Sequence, residues 1–161
     1  MKLSAYYKMQ GFRVTLCRDV EYHKADTYYV SMVFSVAKSH EKAAILKKRY
    51  RNNIDIGGSG TCLSKRLPPE IESCFPDYPL YRHTAYAVGF LTRGCNKRCA
   101  FCLVPKKEGK IKKTSSFDDF VPIGQRNIML LDDNLLMYSG VENLLNEMIA
   151  RKYAVNFSQT L

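Results

Sequence analysis

Three cysteines crowded into one short segment are the residues of this chain best suited to chemistry. Cys95, Cys99 and Cys102 lie in the run TRGCNKRCAFC, with an aromatic residue immediately before the last cysteine. Three thiolates can hold three irons of a 4Fe–4S cluster and leave the fourth iron open. Because an iron with a free coordination position can bind and reduce a substrate, this spacing indicates redox chemistry at the loop.

Other metal sites of this kind need a fourth protein ligand. Structural zinc takes four ligands, and a ferredoxin-type cluster takes four cysteines. Here the fourth ligand would have to come from the distant Cys62, Cys74 or His83. We interpret the scattered cysteines, Cys17, Cys62 and Cys74, as buried and unreactive thiols. A structural zinc or iron–sulfur site remains an alternative on the residues alone.

Length and composition are those of a globular protein of one ordinary domain or parts of two small ones, with 161 residues. No stretch approaches the roughly 18–20 apolar residues of a membrane span, and the polar start shows no signal peptide. We therefore expect a cytoplasmic protein without a membrane partner. In a reducing compartment a cysteine cluster more often binds metal than forms disulfides.

Positive charge is concentrated in the middle of the chain. Residues 61–115 carry eleven lysines and arginines against four acidic residues, whereas residues 116–161 lean acidic. A basic segment can bind the phosphates of a nucleic acid. It is equally compatible with a solvated face whose cations favour the thiolate form of nearby cysteines. Charge alone leaves both interpretations open.

Helices and strands alternate along the sequence, which favours an α/β protein with a parallel, doubly wound sheet. A proline-rich stretch, 67–81, is typical of a linker and predicts a boundary near residue 80, with domains 1–80 and 81–161. The glycine run GGSG at 57–60 follows a strand, where such sheets bind cofactors, but a tight turn without a ligand explains it equally well. The predicted elements are helices at 3–10, 39–50 and from Ser139, a capped turn at 116–120, and strands at 12–17, 27–34, 53–56, 85–92, 127–131 and 153–160.

The cysteine motif and its context resemble the radical S-adenosylmethionine (SAM) superfamily. The segments GGSG, LPPEIE, PDYPLY, TRGCNKRCAFCLVP, LLDDNLL and NFSQTL are similar to members that have a cobalamin-binding-like N-terminal domain. The resemblance implies a partial flavodoxin-like (cobalamin-binding-like) parallel sheet followed by the first part of a radical SAM partial TIM barrel. Such barrels have about six strands, and three are visible after residue 80, so we expect a partial chain with weak or no turnover.

What the resemblance implies for the cysteines is specific. Cys95, Cys99 and Cys102 match the three cluster ligands, in a cluster loop at 93–105. The open iron would chelate the amino and carboxylate groups of SAM. An electron from the cluster would cleave SAM to methionine and a 5′-deoxyadenosyl radical, which abstracts hydrogen from a substrate that remains unknown.

Further cofactor contacts are also implied by the resemblance. Phe101 matches the aromatic residue that lies near the adenine of SAM. Asp132, Asp133 and Asn134 end a strand at the place where many relatives have a Gly-Gly-Glu that holds the SAM amino group. Carboxylates suit an ammonium partner. Gln159, on the last predicted strand, is a candidate contact to SAM or substrate.

Partners and a second cofactor complete these expectations. The Asp-x-His-x-x-Gly motif of cobalamin binders is absent, and the segment 19–23, which ends in His23, has a different spacing, so cobalamin binding is unsupported. The resemblance implies an electron donor such as flavodoxin or ferredoxin. Similarity of GCNKRCAFCLVP to tRNA methylthiotransferases makes tRNA a minority option as substrate. The alternative function is a non-catalytic, basic nucleic-acid-binding module braced by zinc or an iron–sulfur cluster.

Overall fold

The computed structural model describes residues 1–17, 24–81 and 85–158. It shows a mixed α/β protein with small parallel sheets, which confirms the predicted α/β class. The chain divides into two compact units, one of Thr15–Leu67 and one of Met1–Val14 with Pro68–Leu161. The predicted domain boundary near residue 80 stays a prediction. His23 and Gln159 lie outside the described residues.

Secondary structure follows the alternation of helix and strand expected from the sequence. No helix in the described part of the chain combines the length and apolar character needed to cross a membrane. Ser116 and Asp119 form a reciprocal capping box at the predicted turn. Along the chain the elements are α1 (Lys2–Met9), β1 (Tyr28–Ser31), α2 (Ala37–Tyr50), β2 (Ile54–Gly57), α3 (Pro69–Glu72), β3 (Ala87–Gly89), β4 (Thr92–Arg93), α4 (Val104–Lys107), β5 (Lys112–Lys113), β6 (Asn127–Leu130), α5 (Val141–Ala150) and β7 (Ala154–Phe157).

The smaller unit packs α2 beside a parallel pair of strands, β1 and β2. Its glycine run is explained by close packing. Gly58 has φ +103°, and a Cβ on it would lie 2.3 Å from the carbonyl oxygen of Met32. The amide of Gly60 donates to that same oxygen at 2.9 Å. A tight turn against the neighbouring backbone therefore accounts for these two glycines.

The larger unit is built on the parallel sheet β3-β6-β7, in which neighbours in space are also successive parallel strands in sequence. Helix α5 connects β6 to β7, and its residues Leu144 and Met148 are buried against the core. Helix α5 thus forms a βαβ crossover between two parallel neighbours, a connection that is right-handed in nearly all proteins. The main core residues are Tyr78, Ala87, Leu91, Phe117, Phe120, Val121, Ile128, Leu130, Leu135, Leu144 and Met148.

The strand expected at residues 12–17 is absent: these residues form neither helix nor strand, and Phe12 turns back on the end of α1. Gly11 takes φ +85°, and the amide of Phe12 donates to the carbonyl of Tyr7 at 3.0 Å. The two rings meet edge to face, with centroids 5.7 Å apart. The alternating segment therefore pairs with no strand in the part of the chain that the structure describes.

The proline-rich segment interpreted as a linker is packed into the larger unit. It contains α3, and Tyr78 is 5% exposed. The Tyr78 hydroxyl donates to the carbonyl of Phe120 at 2.7 Å and accepts from the amide of Val88 at 2.9 Å. Burial raises the pKa of Tyr78, which keeps this hydroxyl protonated and able to donate. The segment thus connects strand β3 with the turn before β6.

Candidate functional site

The cysteine loop follows β3 and is closed at its base by a short antiparallel ladder. Strands β4 and β5 pair with Thr92 opposite Lys113 and Arg93 opposite Lys112. The amide of Cys95 donates to the carbonyl of Gly109 at 3.1 Å. This ladder was not predicted, and it makes the segment between Gly94 and Lys112 a closed loop with defined ends.

Two glycines and an asparagine tighten this base. Gly94 has φ +93°, and a Cβ on it would lie 2.5 Å from the carbonyl oxygen of Lys110. The side-chain oxygen of Asn96 accepts from the amide of Ile111 at 3.2 Å. Glycine at position 94 is therefore required both by its dihedral angle and by the approach of the opposite strand. The glycines at both loop ends, Gly94 and Gly109, are the sequence signal for this closure.

Asp132 fixes the start of the loop from the neighbouring strand. Its side chain is 3% exposed and follows the carboxyl end of β6. Its carboxylate accepts from the amide of Leu91 at 3.1 Å, from the amide of Thr92 at 2.5 Å and from the Thr92 hydroxyl at 2.7 Å. These three bonds hold β4 in place. The observed partners of Asp132 thus belong to the protein, and its predicted role toward SAM stays a prediction.

The next two residues contact the loop directly. A carboxylate oxygen of Asp133 accepts from the amide of Gly94 at 3.1 Å. The amide nitrogen of Asn134 lies 3.6 Å from the sulfur of Cys95. Burial raises the pKa of Asp133, against the opposing effect of the Gly94 amide. The start of the cysteine loop and residues 132–134 therefore meet at the carboxyl ends of the neighbouring parallel strands β3 and β6. Ligand sites of α/β folds lie at this end of the sheet.

The three loop cysteines differ in exposure. Cys95 and Cys102 are half-buried, whereas Cys99 is exposed. The sulfur of Cys95 also lies 3.4 Å from the amide of Lys97, and the amide of Cys102 donates to the carbonyl of Cys99 at 3.0 Å. Within residues 1–17, 24–81 and 85–158, no group of three or more His, Cys, Asp or Glu side chains is arranged to hold a metal ion. The structure places the thiols in one loop without assembling them.

An open cavity of about 400 Å³ lies beside Cys95. Its walls come from both ends of the loop, and two of the lining side chains, Arg98 and Lys110, are cationic. Phe101 does not line this cavity and is 92% exposed. The predicted contact of Phe101 with an adenine stays a prediction. The lining residues are Cys95, Asn96, Arg98, Pro105, Gly109 and Lys110.

A small ion-pair network joins the loop to the rest of the larger unit. The Arg93 guanidinium lies 3.4 Å from the carboxylate of Glu72 and 3.6 Å from that of Glu108. It also stacks over the ring of Phe90 at 4.1 Å from the centroid. The ammonium of Lys107 pairs with Glu108 at 3.4 Å. Glu108, the one acidic side chain of the loop, is thus paired with cations of the loop itself.

The remaining cysteines only partly match the prediction of buried, unreactive thiols. Cys74 is buried and Cys17 is half-buried, but Cys62 is exposed. The Ser64 hydroxyl lies 3.1 Å from the Cys62 sulfur, and this hydrogen bond, together with backbone amides, lowers the pKa of Cys62. The prediction is wrong for Cys62 because it lies in the exposed segment that follows the glycine turn.

Comparison with protein-family models, with curated proteins and with solved structures finds no match for this chain. Its function must therefore be argued from the cysteine pattern and from the geometry of the loop.

Proposed function

We propose that this chain carries the cluster-binding part of a radical SAM enzyme, with Cys95, Cys99 and Cys102 as the three protein ligands of a 4Fe–4S cluster. One observation carries the proposal. The three-cysteine loop follows β3, and the polar end of the neighbouring parallel strand β6 contacts its first residues. Ligand sites of parallel α/β folds lie at this end of the sheet.

The strand order supports the finer assignment of the fold. In a βα barrel, successive parallel strands are neighbours, and β3, β6 and β7 follow that order. We assign them to the first part of a radical SAM barrel. The β1-β2 pair with α2 corresponds in this proposal to part of a flavodoxin-like sheet. Because the cobalt-ligating motif is missing from the sequence, the proposal does not include cobalamin.

The donor set suits the proposed cluster, although the loop must close to use it. Three thiols in one loop satisfy three irons. Because no three ligand side chains of the described residues are arranged to hold a metal ion, the outer part of the loop, with the exposed Cys99, has to fold inward before all three sulfurs meet. Backbone bonds at the base, including that from Cys95 to Gly109, would keep the first ligand in place during this closure. When bound, the cluster supplies the electron that cleaves SAM.

The chain's own residues have distinct tasks in this proposal. Asp132 positions the start of the loop, and Asn134 offers a hydrogen bond to the sulfur of Cys95. Hydrogen bonds to sulfur tune the reduction potential of iron–sulfur clusters. Phe101, Asp133 and Gln159 remain predicted contacts of SAM or substrate. An electron donor such as flavodoxin or ferredoxin and a cytoplasmic location remain predictions as well.

Metal analysis after anaerobic reconstitution tests the proposal. We expect about four irons and four sulfides per chain, as for a 4Fe–4S cluster. The electron paramagnetic resonance signal of the reduced cluster should shift when SAM is added. One zinc per chain and no effect of SAM would contradict the proposal and favour a non-catalytic module with a structural metal.

Cysteine variants provide a matched comparison. Cys99→Ala should abolish cluster assembly while the far-ultraviolet circular dichroism stays close to that of the wild type, because Cys99 is exposed and outside the sheets. Cys62→Ala removes another exposed cysteine and should leave the iron content unchanged. A full cluster in the Cys99 variant would refute the ligand assignment.

A further inference from the structure

Six cations of the cysteine loop and of strand β5 are exposed to solvent. Within the part of the chain that the structure describes, none of them lies within 4.0 Å of a carboxylate. The one acidic residue of the same segment, Glu108, is already paired with Arg93 and Lys107. We call this set the basic loop surface: Lys97, Arg98, Lys106, Lys110, Lys112 and Lys113, all of them exposed.

The clustering of unpaired like charges has an electrostatic cost. Side chains of one sign in one loop repel one another, and this repulsion is relieved when a polyanion neutralises them. The exposed cations Lys38, Lys47 and Lys48 of α2 also have no carboxylate within 4.0 Å in the described residues, but the basic loop surface in addition borders the open cavity beside Cys95. The basic loop surface therefore has the character of a binding surface for an extended anion.

We infer that the basic loop surface binds the phosphate backbone of a single-stranded nucleic acid. That this nucleic acid is the substrate of the enzyme rests on the proposed function. That the surface binds it does not. Arg98 and Lys110 line the open cavity of about 400 Å³ together with Cys95. A phosphate held by them brings its nucleotide next to the cysteine loop. Enzymes that act on a base need it outside a duplex, which favours the single strand.

A membrane surface explains the arrangement less well. Anionic lipid headgroups present a broad plane, which the cations of a flat face would meet together. Here two of the cations line an open cavity, and strand β5 places Lys112 and Lys113 on opposite faces of its ladder. A narrow, flexible chain of phosphates can reach all of these positions, and binding of this kind depends steeply on salt.

Binding of a fluorescein-labelled 20-nucleotide oligouridylate, followed by fluorescence anisotropy between 50 and 300 mM KCl, tests the inference. Each phosphate contact contributes about 0.7 to the slope of log K against log salt for single strands. Removing three contacts should therefore lower the slope by about 2 and weaken binding at 50 mM KCl on the order of a hundredfold. The test variant carries three substitutions in the loop: K110Q, K112Q and K113Q.

A control variant distinguishes binding by the basic loop surface from attraction to the net charge of the protein. It removes the same number of exposed cations from α2 and should change affinity less than about threefold. Equal weakening in both variants would overturn the inference, because it would show attraction to the whole basic protein. So would tighter binding of a matched 20-base-pair duplex, or binding of phosphatidylserine vesicles without binding of the oligonucleotide. The control substitutions are K38Q, K47Q and K48Q.

Iron content distinguishes this inference from the proposed function. A full cluster in the wild type without oligonucleotide binding would overturn only the inference. If the chain takes up no iron but binds the oligonucleotide, and the triple variant weakens that binding, the inference holds and the proposed function is overturned. The triple loop variant should bind as much iron as the wild type, because none of its three changed residues lies between the cysteines.

Discussion

Replacing Asp132 by asparagine is the sharpest test of how the cysteine loop is held. The substitution keeps the size of the side chain and changes its charge and one of its two acceptor oxygens. In the wild type the carboxylate accepts three hydrogen bonds from Leu91 and Thr92 at the start of β4. In the variant the new NH2 group takes the place of Oδ2 and faces the Leu91 amide, and the donors that remain on Oδ1 bond a neutral oxygen instead of a charged one.

The expected cost follows from the number and kind of bonds. Hydrogen bonds to a charged group contribute about 1.5–3 kcal/mol, and neutral ones about 0.5–1.5 kcal/mol. Weakening three buried bonds by about 1 kcal/mol each lowers the free energy of unfolding by about 3 kcal/mol. Native proteins are stable by about 5–15 kcal/mol, so this is a large fraction. For a chain of this length it corresponds to a decrease in Tm of roughly 6–12 °C.

Thermal unfolding followed by circular dichroism measures this decrease. Asp118→Asn is the matched control, because Asp118 is exposed and makes a surface ion pair with Arg151. The control should melt close to the wild type. If Asp132→Asn melts together with the control, the carboxylate does not hold the loop, and the assignment of Asp132 as a positioning residue is wrong.

Three further predictions use other contacts of the larger unit. Gly94→Ala should destabilise the protein more than Gly109→Ala, because both glycines have positive φ but only a Cβ on Gly94 meets backbone; equal urea midpoints would contradict this. Tyr78→Phe leaves the partly buried Val88 amide of β3 and the Phe120 carbonyl without their partner and should cost about 1–3 kcal/mol in the same assay. Burial opposes ionisation of Asp77, but the hydrogen bonds from Lys8, Ser4 and the Leu80 amide, together with the charge of Lys8, outweigh it and lower the pKa of Asp77. The contribution of ionised Asp77 to the free energy of unfolding is therefore present above about pH 4 and is lost as pH falls through the folded pKa. Lys8→Met should reduce this loss and flatten the acid limb of a pH–stability curve. An unchanged acid limb would contradict a stabilising pair between Lys8 and Asp77.

Much of the local structure was accessible from the sequence, because it depends on residues close together in the chain. The apolar stripe at helical spacing after Ser139 predicted α5, and residues 127–131 were predicted as a buried strand, which the structure places at Asn127–Leu130 as β6. Prediction failed where a partner was needed. The alternating segment at 12–17 pairs with no strand among the described residues, and the proline-rich stretch at 67–81 is packed by Tyr78 into the core.

For the candidate site, the sequence by itself determined the donor set: three cysteines at a spacing that suits an iron–sulfur cluster, in a basic segment after a strand. Only the tertiary structure decided how that loop is held, since the ladder between β4 and β5 and the bonds to Asp132 join residues far apart in the chain. The side-chain types at 132–134 showed three polar groups, but not which of them points inward. Asp132 is buried against the backbone of β4, because the amides there would otherwise lack hydrogen-bond partners in a region closed to water. Asp133 and Asn134 then lie against the start of the cysteine loop.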